Sequence, residues 1–404
     1  MKQFSLVVVV ILLGCTGNGN QEATYYGDVS RILTNNCVGC HATTDGIAPF
    51  DLESYESAAA VASLIAPAVQ ERRMPPSLVD NSGTCQTYQN ARWLNDADIQ
   101  TLVAWVEAGA PEGEPREIDT SPPALPALVE VDATLTTPMH TPNPPAGEED
   151  EYRCYVMDAA APTDQYLTAF DIQPGNPRVV HHIVVFLPTS DTEVAEAEAL
   201  DAGDAEPGYL CFGAAGVDAT VAAVWSPGGG ATLFPEGTGI LLPANRKLII
   251  QVHYNTVNGA EADTSELRFD LSSAVVEPAT FILVGTISGV TIPAGAAAHQ
   301  YVSSAPVLGS GKTYAVFPHM HLYGTRMELT RTQAGSTEKE CVMSVPRWDF
   351  HWQSYYFYSE PLPFSIFDSI ELTCEYDTTS ATSSVSFGEG TGDEMCLVGF
   401  YVTL

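Results

Sequence analysis

The sequence predicts a multidomain protein in which a small all-α domain is followed by two all-β sandwich domains. Three observations support this prediction. Segment 25–110 has helical periodicity, residues 111–126 are rich in proline, and from about Leu128 onward short apolar or alternating runs are separated by turn-forming residues. About 270 residues of this last kind fit two sandwiches in tandem better than one oversized sheet.

Composition limits the classes of partner. The 404 residues include 16 Lys and Arg against 50 Asp and Glu, which gives a formal net charge of −34 with neutral histidines. Such a field repels phosphate backbones and anionic lipid surfaces, so we expect no nucleic-acid partner. With 45% hydrophobic residues, the chain has enough apolar material to form a packed core for each domain.

Residues 1–15 are predicted to form a lipoprotein signal peptide. The apolar run Phe4–Leu13, about ten residues long, is too short to span a bilayer. It ends in Leu-Leu-Gly-Cys, which resembles a bacterial lipobox, with Cys15 as the acylated first residue of the mature protein and 16–24 as a flexible tether. An ordinary signal peptide with a free Cys15 is the alternative. We therefore expect a cell-envelope protein that is held at the outer membrane by a lipid anchor only, in the periplasm or at the cell surface.

A Cys-x-x-Cys-His motif at Cys37, Cys40 and His41 predicts covalent attachment of haem c. At this spacing both thiols can form thioethers with the haem vinyl groups while the adjacent imidazole becomes an axial iron ligand. A redox Cys-x-x-Cys followed by an unrelated histidine is the alternative. The predicted sixth ligand is Met74, because a residue followed by proline is held in an extended conformation on a stiff loop. Met74 as a core residue remains the alternative.

The predicted all-α unit, 25–110, closes with a helix over Asp96–Ala108 that contains Trp105. On its haem motif, its Met-Pro-Pro sequence and this helix, the unit resembles the small cytochrome c domains of bacterial periplasmic enzymes. The following linker, 111–126, is predicted to be extended and semi-rigid because of its prolines.

Five of the nine histidines lie in β-type runs, and their spacing allows metal binding. Residues two apart in a strand point to the same face, so His319 and His321 can share a metal. Neighbouring residues point to opposite faces, so His181 and His182 can share one only at a strand end or a bulge. His253 occupies a third run. Taken alone, each of these histidines is more often an ordinary core or surface residue than a ligand. Apart from His41 of the haem motif, the other three, His140, His299 and His351, have no partner at a useful spacing.

The order of the motifs resembles the copper type II, ascorbate-dependent monooxygenases, the relatives of peptidylglycine α-hydroxylating monooxygenase and dopamine β-monooxygenase. The motifs are Tyr-Arg-Cys-Tyr, Val-His-His-Ile, Gln-Val-His-Tyr, His-Met-His and Asp-Glu-Met-Cys. The resemblance covers 129–404. It implies two jelly-roll β-sandwiches, which we delimit as 127–272 and 273–404, each carrying one copper ion on opposite sides of a solvent-filled cleft.

The resemblance also implies roles for individual residues. One copper, for electron storage and transfer, is held by His181, His182 and His253. A second copper, which binds dioxygen and substrate, is held by His319, His321 and Met395. Two imidazoles with a soft thioether favour Cu(I), the state that reacts with oxygen.

The resemblance further implies the disulfides Cys154–Cys211 and Cys374–Cys396. It also implies a glutamine near the first copper, Gln251, for which an ordinary solvent-facing glutamine is the alternative. Cys85 and Cys341 are left over; they either pair, which an oxidising compartment favours, or remain free buried thiols.

Departures from the family concern the substrate. Peptide-amidating members have a basic residue where this chain has Phe317, and polar residues where it has Leu397, Val398 and Gly399. A family disulfide cysteine is also missing near Leu187 and Pro188. Recognition of a peptide carboxylate by the family route is therefore lost, and we expect a more apolar substrate pocket. The aromatic residues of 348–358 are predicted to be core and strand-edge residues, with an apolar substrate wall as the alternative.

These observations together predict a copper-dependent monooxygenase that hydroxylates a C–H bond of a small, apolar substrate with dioxygen. A periplasmic donor supplies electrons, which pass through haem c to the first copper. Two alternatives remain open: a non-catalytic electron-transfer lipoprotein, and a copper storage or sensing protein.

Overall fold

The computed structural model describes residues 22–44, 48–211, 214–227, 230–257, 259–286, 289, 291–388 and 392–404. The predicted signal peptide, Cys15 and most of the tether lie outside these residues. Within the described ranges, every helix is too short or too polar to cross a membrane.

The N-terminal region is helical and has its own core. A π-helical turn, Tyr25–Val29, leads into four helices: α1 (Ser30–Asn36), α2 (Tyr55–Ala60), α3 (Ala62–Gln70) and α4 (Asp96–Glu107). Their apolar faces bury Leu33, Ile65, Leu102 and Trp105 together. The predicted closing helix is confirmed. Its first turn is capped by the Asn95 side chain, which accepts the Asp98 N–H at 2.9 Å.

Helical structure does not extend over 71–95, contrary to the prediction for 25–110. This segment is irregular because it contains Pro75 and Pro76. Its middle part packs on the C-terminal sandwich, whereas Leu94 near its end is buried in the core of the helical unit. Leu78 and Tyr88 are buried in the C-terminal core. A disulfide, Cys85–Cys341, fastens the segment there, so the pairing of these two cysteines is confirmed. The linker 111–126 contains no helix or strand, as predicted, and Pro111 and Pro126 accept backbone hydrogen bonds at its two ends.

Within its described residues, the first β region has ten strands and one helix. They are β1 (Ala133–Thr136), β2 (Asp150–Met157), β3 (Gln165–Gln173), β4 (Val180–Pro188), α5 (Asp191–Gly203), β5 (Tyr209–Leu210), β6 (Ala219–Trp225), β7 (Thr232–Leu233), β8 (Thr238–Leu242), β9 (Leu248–Asn255) and β10 (Glu266–Ser272). The all-β prediction misses α5. This helix is acidic and buries mainly Ala197, so it lacks the apolar periodicity that marks a helix in sequence.

Ten more strands form the second β region. They are β11 (Glu277–Thr286), β12 (Thr291–Ile292), β13 (His299–Pro306), β14 (Gly311–His319), β15 (Gly324–Thr332), β16 (Lys339–Val345), β17 (Tyr356–Phe364), β18 (Ser369–Tyr376), β19 (Val385–Ser386) and β20 (Cys396–Thr403).

The two sandwiches share a sheet. In the described residues a nine-stranded sheet has the order β1-β10-β3-β8-β11-β20-β14-β17, with β7 on β3. The five-stranded sheet β5-β2-β9-β4-β6 packs on its first part, and the four-stranded sheet β13-β18-β15-β16 packs on its second part. The join is the parallel pairing of β8 with β11. The two sandwich cores therefore lie side by side in one continuous structure.

Candidate metal centres

Three histidines converge on the five-stranded sheet. The Nδ1 atom of His181 lies 3.3 Å from that of His182 and 3.1 Å from that of His253, and the last two are 3.2 Å apart. Three nitrogen donors placed about 2 Å from one metal ion have this separation. These residues are therefore arranged to hold a single ion, which we call the first site.

A bulge at the start of β4 brings the two neighbouring histidines together. In the pairing of β4 with β9, Val180 is opposite Tyr254 and His182 is opposite His253, so the register shifts at His181. The extra residue turns His181 and His182 toward the same partner. This is the condition that the sequence required for the pair.

Hydrogen bonds and burial prepare the first-site imidazoles for a metal. Asp150 accepts a hydrogen bond from His253 Nε2 at 2.9 Å, which leaves Nδ1 of His253 facing the site. Burial, reinforced by the neighbouring His253, lowers the pKa of His181 to about 3. Burial also holds the pKa of His182 well below its usual value. Both rings are neutral at physiological pH, as metal ligation requires.

Gln251 is buried, so the solvent-facing alternative is wrong. Its Nε2 donates to the backbone oxygens of Cys211 and Ala214, each at 3.2 Å. The confirmed disulfide Cys154–Cys211 lies beside it. Gln251 thus connects the strand that carries His253 to the loop next to the disulfide.

His319 and His321 approach each other at the end of β14. Their ring centroids are 5.1 Å apart and the planes are nearly perpendicular. Nδ1 of His319 donates to Gln353 Oε1 at 2.6 Å, and Nδ1 of His321 donates to Asp393 O at 3.2 Å. With Nδ1 engaged in each ring, Nε2 is the nitrogen of each that can bind a metal. The expectation that the two lie in one strand is corrected, because β14 ends at His319 and His321 lies in the following turn.

Glu394 ties Met395 to this turn. Its carboxylate accepts the backbone N–H groups of His321 at 3.0 Å, Tyr323 at 2.6 Å and Met395 at 3.2 Å. The confirmed disulfide Cys374–Cys396 and the Tyr376 hydroxyl, which donates to Met395 O, hold the other side. We call His319, His321 and Met395 the second site. Sequence reasoning missed Glu394, because an acidic residue before a methionine carries no recognisable signal.

Burial dominates the electrostatics of the second site. It raises the pKa of Glu394 to about 7, although the N–H donors that surround the carboxylate oppose this shift. Burial, followed by the effect of His321, lowers the pKa of His319 to about 3.

The Phe350 ring lies between the two sites. It stacks on His181 with a centroid distance of 5.9 Å and meets His321 edge-on at 6.0 Å. The His181 and His321 rings are therefore no more than about 12 Å apart, the sum of these two contacts. Where the resemblance implies a solvent-filled cleft, this part of the space holds an aromatic side chain.

Comparison with known proteins identifies both β regions. Residues 137–261 match the copper type II ascorbate-dependent monooxygenase N-terminal domain, and residues 298–403 match the C-terminal domain of the same family. Together the matches cover more than half of the chain. The chain belongs to the copper type II ascorbate-dependent monooxygenase family. The members of this family are copper monooxygenases, oxidoreductases of the class that incorporates oxygen from O₂.

One curated relative is the tyramine beta-hydroxylase of Caenorhabditis briggsae, which is 23% identical over 283 residues. The match covers 65% of this chain and 47% of the relative, so the chain spans about half of that protein's length. Among solved structures, the major capsid protein P2 of bacteriophage PM2 has 8% identity and a TM-score of 0.25, covering 63% of this chain and 97% of that one. The infectious bursal disease virus VP2 subviral particle has 10% identity and a TM-score of 0.18, covering 69% and 81%. The structural similarities are too low to inform fold or function.

Near the second site, Phe317, which stands where peptide-amidating members have a basic residue, belongs to an aromatic cluster. Phe317 packs edge-on against Tyr355 at 5.6 Å and Phe281 at 6.4 Å. The Phe281 ring lies over Gly399, where a Cβ atom would come within 2.1 Å of the ring. The aromatic residues of 348–358 are mostly buried, as predicted for core residues.

Two histidines that were expected to lack partners have them. His140 is buried and contacts Glu151 Oε1 at 2.7 Å, beside Arg153. His351 lies next to the first site, with its ring 5.4 Å from that of His181. His181 is distant in the chain from His351, so spacing could not reveal that contact.

The predicted haem-binding residues lie on the helical unit of the chain. Cys37 and Cys40 are half-buried free thiols. His41 Nδ1 donates to Phe50 O at 2.9 Å, which leaves Nε2 available as a ligand. Met74 follows α3 and is 37% exposed, so the alternative of a core residue is wrong.

Proposed function

We propose that this protein hydroxylates a C–H bond of a small, apolar molecule with dioxygen at two copper sites, using electrons that arrive through covalently attached haem c. The observation that carries the proposal is the pair of facing donor sets. Three Nδ1 atoms converge at the first site, and the imidazoles of His319 and His321, whose Nδ1 atoms are engaged in hydrogen bonds, form the second site with Met395 across Phe350.

The donor sets suit different tasks. When bound, copper supplies one-electron redox chemistry at both sites and the reaction with dioxygen at the second. His181, His182 and His253 present three imidazoles that accept both copper oxidation states. Met395 adds a soft donor that favours Cu(I). C–H hydroxylation by O₂ places one oxygen atom in the product and one in water, and it consumes two electrons and two protons, so two one-electron sites match the requirement.

The surroundings of the second site favour an apolar substrate. Residues 397–399 are apolar or glycine where peptide-amidating members have polar residues, and Phe317 packs with Phe281 and Tyr355 in an aromatic cluster. A basic residue that would pair with a peptide carboxylate is replaced by Phe317. The name of the nematode relative gives tyramine, also a small molecule, as its substrate.

The residues of the helical unit fit a haem. The thiols of Cys37 and Cys40 are unpaired, and the hydrogen bond to Phe50 O orients His41 with Nε2 free. Met74 lies on the loop after α3 as the proposed sixth ligand. When bound, haem c supplies a one-electron relay. Cys85–Cys341 holds the segment that follows Met74 on the second sandwich, so the helical unit stays attached to the copper-binding part.

We also propose that Cys15 carries a lipid anchor at the outer membrane. A periplasmic electron donor would then reach the haem on the exported chain. The test is metabolic labelling with a fatty acid, which should label the parent and leave Cys15→Ser unlabelled; equal labelling of both would contradict the anchor.

Oxygen uptake tests the enzymatic proposal. The copper-loaded full chain, supplied with a reductant and a panel of apolar substrates, should consume O₂ and form hydroxylated product. His319→Ala and Met395→Ala should lower product formation at least about 100-fold, because each removes a second-site donor. Met139→Ala removes an exposed methionine of the other half and should leave the rate unchanged. Oxygen uptake that is identical in all variants, without product, would contradict the proposal.

The haem is tested by a reduced-minus-oxidised visible spectrum of the denatured protein, in which only covalently bound haem remains. The parent should retain the signal, and Cys37→Ser with Cys40→Ser should lose it while binding the same amount of copper. A parent without a haem signal would contradict the relay and leave the copper proposal intact.

A further inference from the structure

A segment of the N-terminal part of the chain completes one edge of the second sandwich. Residues 77–91, which we call the strap, lie outside both ranges that match the family domains. Strand β17 is the last in the order of the nine-stranded sheet, and an edge strand presents unpaired backbone groups. The strap runs antiparallel along this edge, where the Gln89 N–H donates to Phe357 O at 2.8 Å. The Ser359 N–H donates to Thr87 O at the same distance. The strap therefore serves as an additional strand on β17.

Asn90 of the strap fixes the backbone where β17 begins. Its Nδ2 donates to Tyr355 O at 2.7 Å, and its Oδ1 accepts the Phe357 N–H at 2.9 Å. A primary amide can donate and accept at the same time, so one side chain engages both a carbonyl and an N–H of the neighbouring segment. Asn90 is exposed, so these two hydrogen bonds, rather than burial, account for its contact with the sandwich.

The Tyr356 hydroxyl makes a second connection to the strap. It accepts the Leu78 N–H at 2.9 Å and donates to Trp352 O at 3.4 Å. Leu78 and Tyr356 are both buried in the core of the second sandwich. Trp352 closes the turn that precedes β17. Together with Asn90, this connection holds the backbone on both sides of Gln353.

Gln353 connects the strap to the second site. Its Oε1 accepts a hydrogen bond from His319 Nδ1 at 2.6 Å, and its Nε2 donates to Phe350 O at 2.9 Å. In the described part of the chain, residues 353–355 have no strand pairing of their own, because β17 begins at Tyr356. The hydrogen bonds on either side therefore set the position of Gln353, and a shift of this side chain would turn the His319 imidazole.

We propose that the strap positions a ligand of the second site, with Asn90 and Tyr356 as positioning residues that act through Gln353 on His319. The inference rests on the copper proposed for the second site. The hydrogen bond that a metal-binding histidine donates from its other ring nitrogen fixes the orientation of the ring and tunes its strength as a ligand. In this chain that hydrogen bond depends on a segment that belongs to neither matched family domain.

The test reads the second-site copper in the full chain. A His182→Ala background removes a first-site donor, so that one equivalent of Cu(II) reports on the second site. Pulsed electron paramagnetic resonance detects the remote ring nitrogen of a bound imidazole, and the quadrupole frequencies of that nitrogen depend on the hydrogen bond it donates. Asn90→Ala and Tyr356→Phe should each shift the frequencies of one imidazole. Each should weaken Cu(II) binding about threefold and both together about tenfold, since they act one step behind the direct partner of the ligand.

Gln86→Ala is the matched control. Gln86 is an amide of the same strap, but its Nε2 donates to Cys341 O on β16, at 2.8 Å. This variant should leave the frequencies and the affinity unchanged. In a Gln353→Ala background, Asn90→Ala and Tyr356→Phe should have no further effect, because residues that act through one partner are not additive once that partner is absent.

Frequencies and affinity that are identical in the Asn90→Ala, Tyr356→Phe double variant and the parent background would overturn the proposal. Undiminished effects in the Gln353→Ala background, or an equal effect of Gln86→Ala, would also overturn it, since the strap would then act through general stability. Absence of hydroxylation in a fully copper-loaded parent would overturn the proposed function alone, because both readouts are taken without turnover.

Discussion

The two candidate sites are built in different ways. The first site uses two neighbouring strands of one sheet, with a bulge at His181 and a single carboxylate, Asp150, behind His253. The second site uses the end of β14, a turn and the residue before β20. Two side chains that are not ligands, Gln353 and Glu394, hold these segments together by accepting hydrogen bonds from them.

The difference shows how each donor set keeps its shape. Backbone hydrogen bonds of the sheet set the first site, so its geometry is as stable as the sheet itself. The second site depends on a buried carboxylate and a disulfide, which replace the missing strand pairing. Disturbing such groups should therefore affect the two sites unequally, and four predictions test this contrast.

The largest expected effects come from the disulfides. Cys154→Ser with Cys211→Ser should lower the free energy of unfolding by about 4 kcal/mol, and Cys374→Ser with Cys396→Ser by about 3 kcal/mol, because the closed loops span 57 and 22 residues. Urea denaturation measures both values. Copper analysis should show that loss of Cys374–Cys396 weakens mainly the second site. If loss of Cys374–Cys396 weakened copper binding at the first site alone, the proposed difference between the two sites would be wrong.

Glu394→Ala should lower the free energy of unfolding by about 2–3 kcal/mol, because it strands buried N–H groups of His321 and Tyr323 without an acceptor. The second-site copper should be lost before the first, as measured by metal content after dialysis. Glu394→Gln retains an acceptor and serves as the control, with a smaller loss. Equal copper loss from both sites in Glu394→Ala would contradict the role assigned to this carboxylate.

Asp150→Asn should weaken copper binding at the first site about 10-fold, since the carboxylate that receives the His253 Nε2 hydrogen bond loses its charge. Gln353→Ala is the counterpart, because it removes the acceptor for His319 and should weaken only the second site. Competition with a chelator, followed by electron paramagnetic resonance of the bound Cu(II), measures the copper affinity of each site separately. If either substitution weakens both sites to the same extent, the sites are not independent.

The smallest effect concerns the sheet that joins the two halves. Glu277 on β11 accepts hydrogen bonds from Lys312, Tyr314 and Thr403, which lower its pKa from 4.5 to about 2. Because the folded-state pKa lies below the unfolded value, the carboxylate contributes stability above pH 4.5. That contribution is lost as the pH falls toward about 2. Glu277→Gln should flatten the dependence of Tm on pH in this range; parallel curves for variant and parent would contradict it.

Much of both sites was predictable from the sequence, for a physical reason. Most of the predicted ligands are histidines, a residue type that is rare in this chain. The histidines in β-type runs are therefore easy to recognise: His181, His182, His253, His319 and His321. The disulfide pairs Cys154–Cys211 and Cys374–Cys396 followed from the family resemblance, and the structure contains both.

Other features could not be predicted from the sequence because they depend on contacts between distant parts of the chain. Nothing in the spacing of Glu394 indicates that its carboxylate receives three backbone N–H groups. The position of His351 beside His181 arises from the packing of one sandwich against the other. Helix α5 and the irregular segment 71–95 were missed because a weak periodicity does not report where a segment packs.

The sequence by itself determined the donor chemistry, since residue type sets what an imidazole, a thioether or a thiol can bind. It also determined the alternation along each strand, which is a local property of the backbone. Only the tertiary structure decided the bulge that turns His181 and His182 to one side, the shared sheet and the Phe350–His351 turn between the sites. These features depend on strand register and on packing between segments that are distant in the chain, and local spacing carries no information about either.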